Sequence, residues 1–237
     1  MSMATFDFSG RRVVVTDGTR GLGLGIARAF ANSGAQVVAT GPRSRATTSD
    51  EDLSGIEHHR LELTDAEALA DFAAQIGPVD VLVNAAGLRL PHAAQEHPEG
   101  VREAVADGQV GPVQLTRQLR PWLESSALRG GGAVIHTHAL REWFAFSRGA
   151  TSAHADLISH TARQGVSWGQ SGVRVNAVST SLAVTRPVAP ELNGMVDPAE
   201  VESTDDVASA VLFLASEAAA CIAGQTVIVR EPFARVS

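Results

Sequence analysis

The stretch "VVVTDGTRGLGLGIARAF", residues 13–30, decides the fold. It opens with a β-branched run, passes through a glycine-rich loop, and continues into apolar residues at helical spacing that close on Gly34. A strand feeding a helix through glycines leaves bare backbone where a phosphate can approach, and the helix N-terminus favours the negative charge.

The same alternation runs outward from this unit. "AQVVATG" (35–41), "IEHHRLELTD" (56–65) and "VDVLVNAAG" (79–87) read as strands, with a helix at 67–77 before the last of them. A helix at 101–123, a strand "GAVIHTH" at 132–138, a helix at 151–170 and a strand "VRVNAVS" at 173–179 follow. The helix "TDDVASAVLFLAS" (204–216), with Thr204 as its N-cap, and the strand "QTVIV" (225–229) complete the pattern. Strands alternating with helices imply parallel βαβ units, so the expectation is one α/β domain over residues 1–237: a doubly wound parallel sheet with helices on both faces. Such sheets bind ligands outside the carboxyl ends of their strands. The Pro-containing segment 180–200 reads as a flap over that edge.

Composition narrows the partners. A net charge of -7 and the lack of an Arg cluster interleaved with aromatics argue against nucleic acid and for a small-molecule substrate. No apolar run approaches the roughly 18–20 residues that span a bilayer, and residues 1–10 carry no export signal, so the chain reads as cytoplasmic with no membrane partner. Cys221 excludes an internal disulfide and is expected as a small buried hydrophobe in a helix-to-strand connection. There is no tyrosine, and all 19 basic residues are arginine, so there is no lysine either.

The glycine loop, "VDVLVNAAG", "VRVNAVS" and "LFLAS...IAGQTVIV" together resemble the short-chain dehydrogenase/reductase family over nearly the whole chain. The resemblance implies a Rossmann-like single domain and a dinucleotide site. Thr16, Gly21 and Gly23 match the family's Thr-Gly-x-x-x-Gly-x-Gly motif, with Asp17 where its first glycine belongs. Glu62 stands where an Asp meets the adenine, Asn84, Ala85, Ala86 and Gly87 match Asn-Ala-Ala-Gly, and Thr185 matches the residue that holds the nicotinamide carboxamide. The Asn-Ala-Ala-Gly match is equally compatible with a purely structural role in the sheet. The second strand ends without an acid for a ribose 2'-hydroxyl but with Arg43 and Arg45, and Arg20 lies in the loop, so NADP(H) is expected over NAD(H). Asp17 opposes it: a carboxylate about 6 Å from a phosphate at a dielectric near 20 costs roughly 3 kcal/mol, so binding is expected to be weak or lost. Gly18 can take over the tight turn, and Asp tolerates a left-handed backbone. No metal is expected: "HTH" at 136–138 offers two ligands but no third.

The family's catalytic Asn, Ser, Tyr and Lys have no counterparts here. The Tyr and Lys positions fall on Ala150 and His154, or on Thr151 and Ala155; the Ser position falls on Thr137, His138 or Ala139; the Asn position falls on Gly108. Polar residues stand in their place: His136, His138 and Arg141 after the fifth strand, His154 opening a helix, and His92 after the fourth strand. His138 and His154 are the candidate proton donor and acceptor, and Arg141 the oxyanion helper. The leading expectation is non-redox acid/base chemistry, such as cyclisation, dehydration or isomerisation, on a small carbonyl-bearing natural product of specialised metabolism. The alternatives are an NADPH-dependent reductase with a rewired site, and a catalytically silent subunit that pairs with an active relative. A homo-oligomer, dimer or tetramer, is expected through the helices at 101–122 and 151–169, where Val110, Val113, Leu157 and Ile158 would otherwise meet water.

Overall fold

The computed structural model describes residues 6–42, 53–85, 98–139, 148–180 and 204–229. Seven strands form one parallel sheet: β1 (Arg12–Thr16), β2 (Gln36–Gly41), β3 (Ile56–Arg60), β4 (Val81–Asn84), β5 (Gly132–Ala139), β6 (Val173–Thr180) and β7 (Thr226–Val229). Their spatial order is β3-β2-β1-β4-β5-β6-β7. Helices α1 (Gly21–Asn32), α2 (Ala66–Gln75), α3 (Pro98–Glu124), α4 (Arg148–Gly169) and α5 (Thr204–Ala215) connect them.

Alternation along each strand sorts side chains between two layers. Val13, Val15, Val81, Val83 and Ile135 pack with α1 and α5 around Ile26, Phe30, Val211 and Leu214. Val14, Leu82, Val134 and Val175 pack on the other face with Leu69, Phe72, Leu115, Leu119 and Trp168 from α2, α3 and α4. The strand order reverses between β1 and β4, where Thr16 lies in register with Asn84. This is the crevice in which a doubly wound sheet holds ligands.

Three local readings change. The third strand ends at Arg60, short of Asp65, because Asp65 turns into the N-cap of α2 and its Oδ1 accepts from the Glu67 and Ala68 amides at 3.1 and 3.0 Å. Thr204 is the first helical residue of α5, one position inside the expected cap. Cys221 is exposed, since the short 3-10 turn Glu217–Ala219 directs Ala219 inward and carries the following chain along the surface.

One buried charge is structural. Arg174 of β6, 4% exposed, donates to the carbonyls of Leu214, Ala215, Ser216 and Ala219 at 2.6, 3.0, 3.4 and 3.1 Å. The Leu214 and Ala215 oxygens close α5 and carry the negative end of its dipole, while Ser216 and Ala219 belong to the turn that follows, so the guanidinium serves as a C-cap supplied by the sheet. Arg174→Met should destabilise the fold by about 2–4 kcal/mol, because four buried acceptors lose a charged donor. Urea denaturation checks this; a change under about 0.5 kcal/mol, the range of ordinary surface substitutions, would contradict it.

Candidate functional site

At the crevice, the Thr16 hydroxyl accepts from the Ala85 amide at 3.0 Å and so ties the ends of β1 and β4 together. Thr16 is fully buried. Of the residues expected to meet a dinucleotide, Thr16 therefore has its hydroxyl committed to the sheet, and Ala85 has its amide committed likewise.

Asp17 follows with φ +48, the one non-glycine residue among those described in the left-handed region. The turn that the family motif gives to glycine is thus made by Asp17 itself and not by Gly18, whose own constraint is contact: a Cβ there would lie 2.7 Å from the Val15 carbonyl oxygen. Gly23 is bare for the same reason, with a Cβ landing 2.3 Å from the Asp17 oxygen, and Gly21 has φ +54. Arg20, the N-cap of α1, makes no side-chain cap, and the first turn holds no acid. Among the described residues, the leading amides of α1 thus have no side-chain cap from Arg20 and no acid in the first turn, a setting that suits an anion at a helix N-terminus.

The Arg20 guanidinium is not free in the loop. Its Nε donates to Asp17 Oδ1 at 3.0 Å and its Nη2 to Oδ2 at 3.2 Å, a two-pronged pair arching over Gly18 and Thr19. The repulsion expected from an isolated Asp17 and the phosphate contact expected from an isolated Arg20 are thus linked: each group neutralises the other. Glu62 is exposed just beyond β3, at the carboxyl edge, with its Oε1 accepting from the Thr64 hydroxyl at 3.4 Å.

Beneath the edge of β4 and β5 lies a buried polar network. Thr116 donates its only hydroxyl proton to the Pro112 carbonyl at 2.6 Å, so its oxygen can only accept from Asn84 Nδ2, at 3.1 Å. This fixes the Asn84 amide. The same Nδ2 lies 3.2 Å from His136 Nδ1, which must accept, and His136 Nε2 then carries the proton donated to Gln164 Oε1 at 3.0 Å. Asn84 Oδ1 is left buried with no hydrogen-bond partner among the described residues.

His136 is 2% exposed, and burial pushes its pKa down to about 4, so the ring is neutral. Its neighbour His160, with ring centroids 6.5 Å apart, is also held below the usual value by burial and by the Arg163 and Arg117 guanidiniums. His136 therefore belongs to the interior and not to the crevice, and both its ring nitrogens are engaged, which removes one member of the "HTH" ligand pair. Gln164 had no place in the sequence reading. Its signal is a polar residue beside the buried stripe of Leu157, Thr161, Gly165 and Trp168.

His138 lies within β5, in register with Ser179, and not after it, because the strand runs on to Ala139. His154 falls in the second turn of α4 and Ala150 in its first. The backbone thus brings both histidines to the carboxyl side of the sheet, and their side chains lie outside the described residues. Arg43, Arg45, Ala86, Gly87, His92, Arg141, Thr185 and the 181–200 part of the flap also lie outside them.

The family model described as Enoyl-(Acyl carrier protein) reductase matches residues 18–231. Galactitol 2-dehydrogenase (L-tagatose-forming) of Cereibacter sphaeroides is 30% identical over 92% of this chain and 93% of its own. L-fucose dehydrogenase of Oryctolagus cuniculus is 32% identical over 90% and 82%. D-threitol dehydrogenase of Mycolicibacterium smegmatis is 29% identical over 94% of each. Among solved structures, a short chain dehydrogenase/reductase family protein superposes with TM-score 0.75 at 29% identity, covering 94% of this chain and 97% of that one. A hydroxysteroid dehydrogenase from Escherichia coli reaches the same TM-score at 23% identity over 95% and 98%, a likeness of fold.

Proposed function

The chain belongs to the short-chain dehydrogenase/reductase family, and from that premise we propose that it is an oxidoreductase with a rewired catalytic site, acting on a small polyhydroxylated or carbonyl-bearing molecule with NADP(H). The observation that carries this reading is the cradle at the β1/β4 crevice: bare glycine backbone and an uncapped α1, in a chain about 30% identical to enzymes named for oxidising galactitol, threitol and fucose. Non-redox cyclisation, dehydration or isomerisation, expected from the missing Tyr and Lys, is overturned by these relatives, every one of which is named as a dehydrogenase. With it goes the assignment to natural-product metabolism as a cyclase. The physical reason is that hydride transfer depends on where a cofactor and substrate are held, and the proton donor is a separable part that another side chain can supply.

When bound, a nicotinamide supplies or takes the hydride. Gly21, Gly23 and the α1 amides are suited to its diphosphate, Glu62 to the adenine, Arg43 to a 2'-phosphate, and Gly87 and Thr185 to the remaining length, while Asn84 and Ala85 hold the sheet edge beneath it. His138 and His154 exchange the hydroxyl proton in place of the absent Tyr, and Arg141 steadies the oxyanion. Incubating the protein with galactitol, D-threitol, L-fucose or gluconate and NADP+ or NAD+ tests the reading. Nicotinamide reduction in step with ketone or lactone formation is expected. No redox turnover alone, with activity appearing only when a related subunit is added, would instead establish a silent partner.

We also place this chain in a homo-oligomer. Val110 of α3 and Ile158 and Val166 of α4 are 61%, 37% and 72% exposed, apolar side chains on the two helices that a partner would cover. Of the other residues expected there, Leu157 is buried in the chain's own core and Val113 is half-buried. Light scattering should give a multiple of 24.7 kDa, reduced to the single chain by Val166→Asp; a wild-type monomer would contradict the assignment.

A further inference from the structure

We propose that Asp17 and Arg20 form an exchange pair over the phosphate cradle, in which the guanidinium held by Asp17 is the group that takes an incoming diphosphate. The inference rests on the dinucleotide reading above and adds how that site is held shut. Both oxygens of Asp17 are occupied by Arg20, at 3.0 and 3.2 Å, and Arg20 is the N-cap residue of α1, so the guanidinium starts from the mouth of the uncapped amides. Asp17 is held there by a left-handed backbone, φ +48, that glycine would adopt without strain.

Asp17 occupies the Nε–Nη2 edge of the guanidinium, so a diphosphate that takes this edge must displace the carboxylate. Binding at that edge breaks the pair and leaves Asp17 uncompensated beside the phosphates. The side chains of Arg20 and Asp17 are 38% and 22% exposed, so an anion in solution reaches the pair without opening the core. The consequence is a cradle tuned to low affinity, responsive to any change that draws Asp17 away.

Exchange and simple repulsion differ in what Arg20 does once Asp17 is gone. Titration calorimetry with NADPH, NADH and inorganic pyrophosphate is to be run on the wild type, Asp17→Gly, Asp17→Asn, Arg20→Ala and the Asp17→Gly/Arg20→Ala double variant. Melting temperatures confirm that each is folded, and Asn, which also accepts a positive φ, serves should glycine loosen the loop. The expected result is weak wild-type binding, about a hundredfold gain in Asp17→Gly, a further loss in Arg20→Ala, and return of the double variant to within a few fold of wild type. Pyrophosphate should displace NADPH from Asp17→Gly, which marks the diphosphate as the group exchanged. Tight wild-type binding, no gain in Asp17→Gly, a double variant as tight as Asp17→Gly, or failure of pyrophosphate to compete would overturn the exchange and leave the dinucleotide reading standing. If no form binds any dinucleotide, the dinucleotide reading itself fails, and the exchange with it.

Discussion

Removing either candidate proton carrier should slow turnover by 10²- to 10⁴-fold, the usual contribution of a positioned general acid or base. His138→Ala and His154→Ala are the variants, measured as kcat with the best polyol or sugar found. The reference pKa of imidazole lies near 6.5, so histidine as a residue type suits proton exchange near neutral pH, which a tyrosine without a neighbouring cation does not. The prediction has a direction in pH as well. If one imidazole must accept the alcohol proton, oxidation should fall as pH drops through its pKa, and carbonyl reduction should rise. Arg141→Ala should cost less, since it removes charge stabilisation and leaves the proton path intact. Both histidine variants retaining wild-type kcat would remove them from the mechanism. With no turnover in the wild type either, the silent-subunit alternative would then be the better account.

Most of the fold was open to reading because each strand carries its own pattern. Val13, Val14 and Val15 are fully buried on both faces, which a continuous β-branched run declares, and Gly34 and Gly77 both take positive φ where helices end. What escaped was set by register. Nothing local in "AVIHTH" distinguishes a histidine aimed at a crevice from one aimed at a neighbouring strand. His136 is buried because parallel pairing sets it opposite Asn84, 52 positions earlier, and α4 lays Gln164 across it. The Asp17 to Arg20 pair is the converse case. Its spacing of three is plain in the sequence, but only the left-handed turn at Asp17 brings both carboxylate oxygens onto the Arg20 guanidinium. Leu157 is buried where an exposed face is expected, because the direction of an amphipathic face depends on how the helix rolls against the sheet, which periodicity alone leaves open.

His136 should make the protein sensitive to mild acid. Its folded-state pKa is about 4 against 6.5 for a free imidazole, because full burial disfavours the cation, with the nearby His160 acting in the same direction and the Gln164 hydrogen bond only partly offsetting them. The unfolded chain therefore binds a proton that the folded chain refuses between those two values. Stability from this group is complete above about pH 6.5, falls as the pH drops toward 4, and changes no further below that. The span of about 2.5 pH units corresponds to roughly 3 kcal/mol. His160, shifted in the same direction, adds to the loss. The damage should begin at the crevice, because a protonated Nδ1 can no longer accept from Asn84, and Asn84 then loses one of the two contacts that fix its amide. His136→Gln isolates the effect: an amide oxygen can accept from Asn84 and an amide nitrogen can donate toward Gln164, but nothing titrates. Urea denaturation at pH 7 and pH 4.5 should show the wild type losing more than His136→Gln by about 2–3 kcal/mol. Equal losses in the two proteins would mean that His136 is protonated in the folded state and that its ring is not the neutral link between β4 and α4.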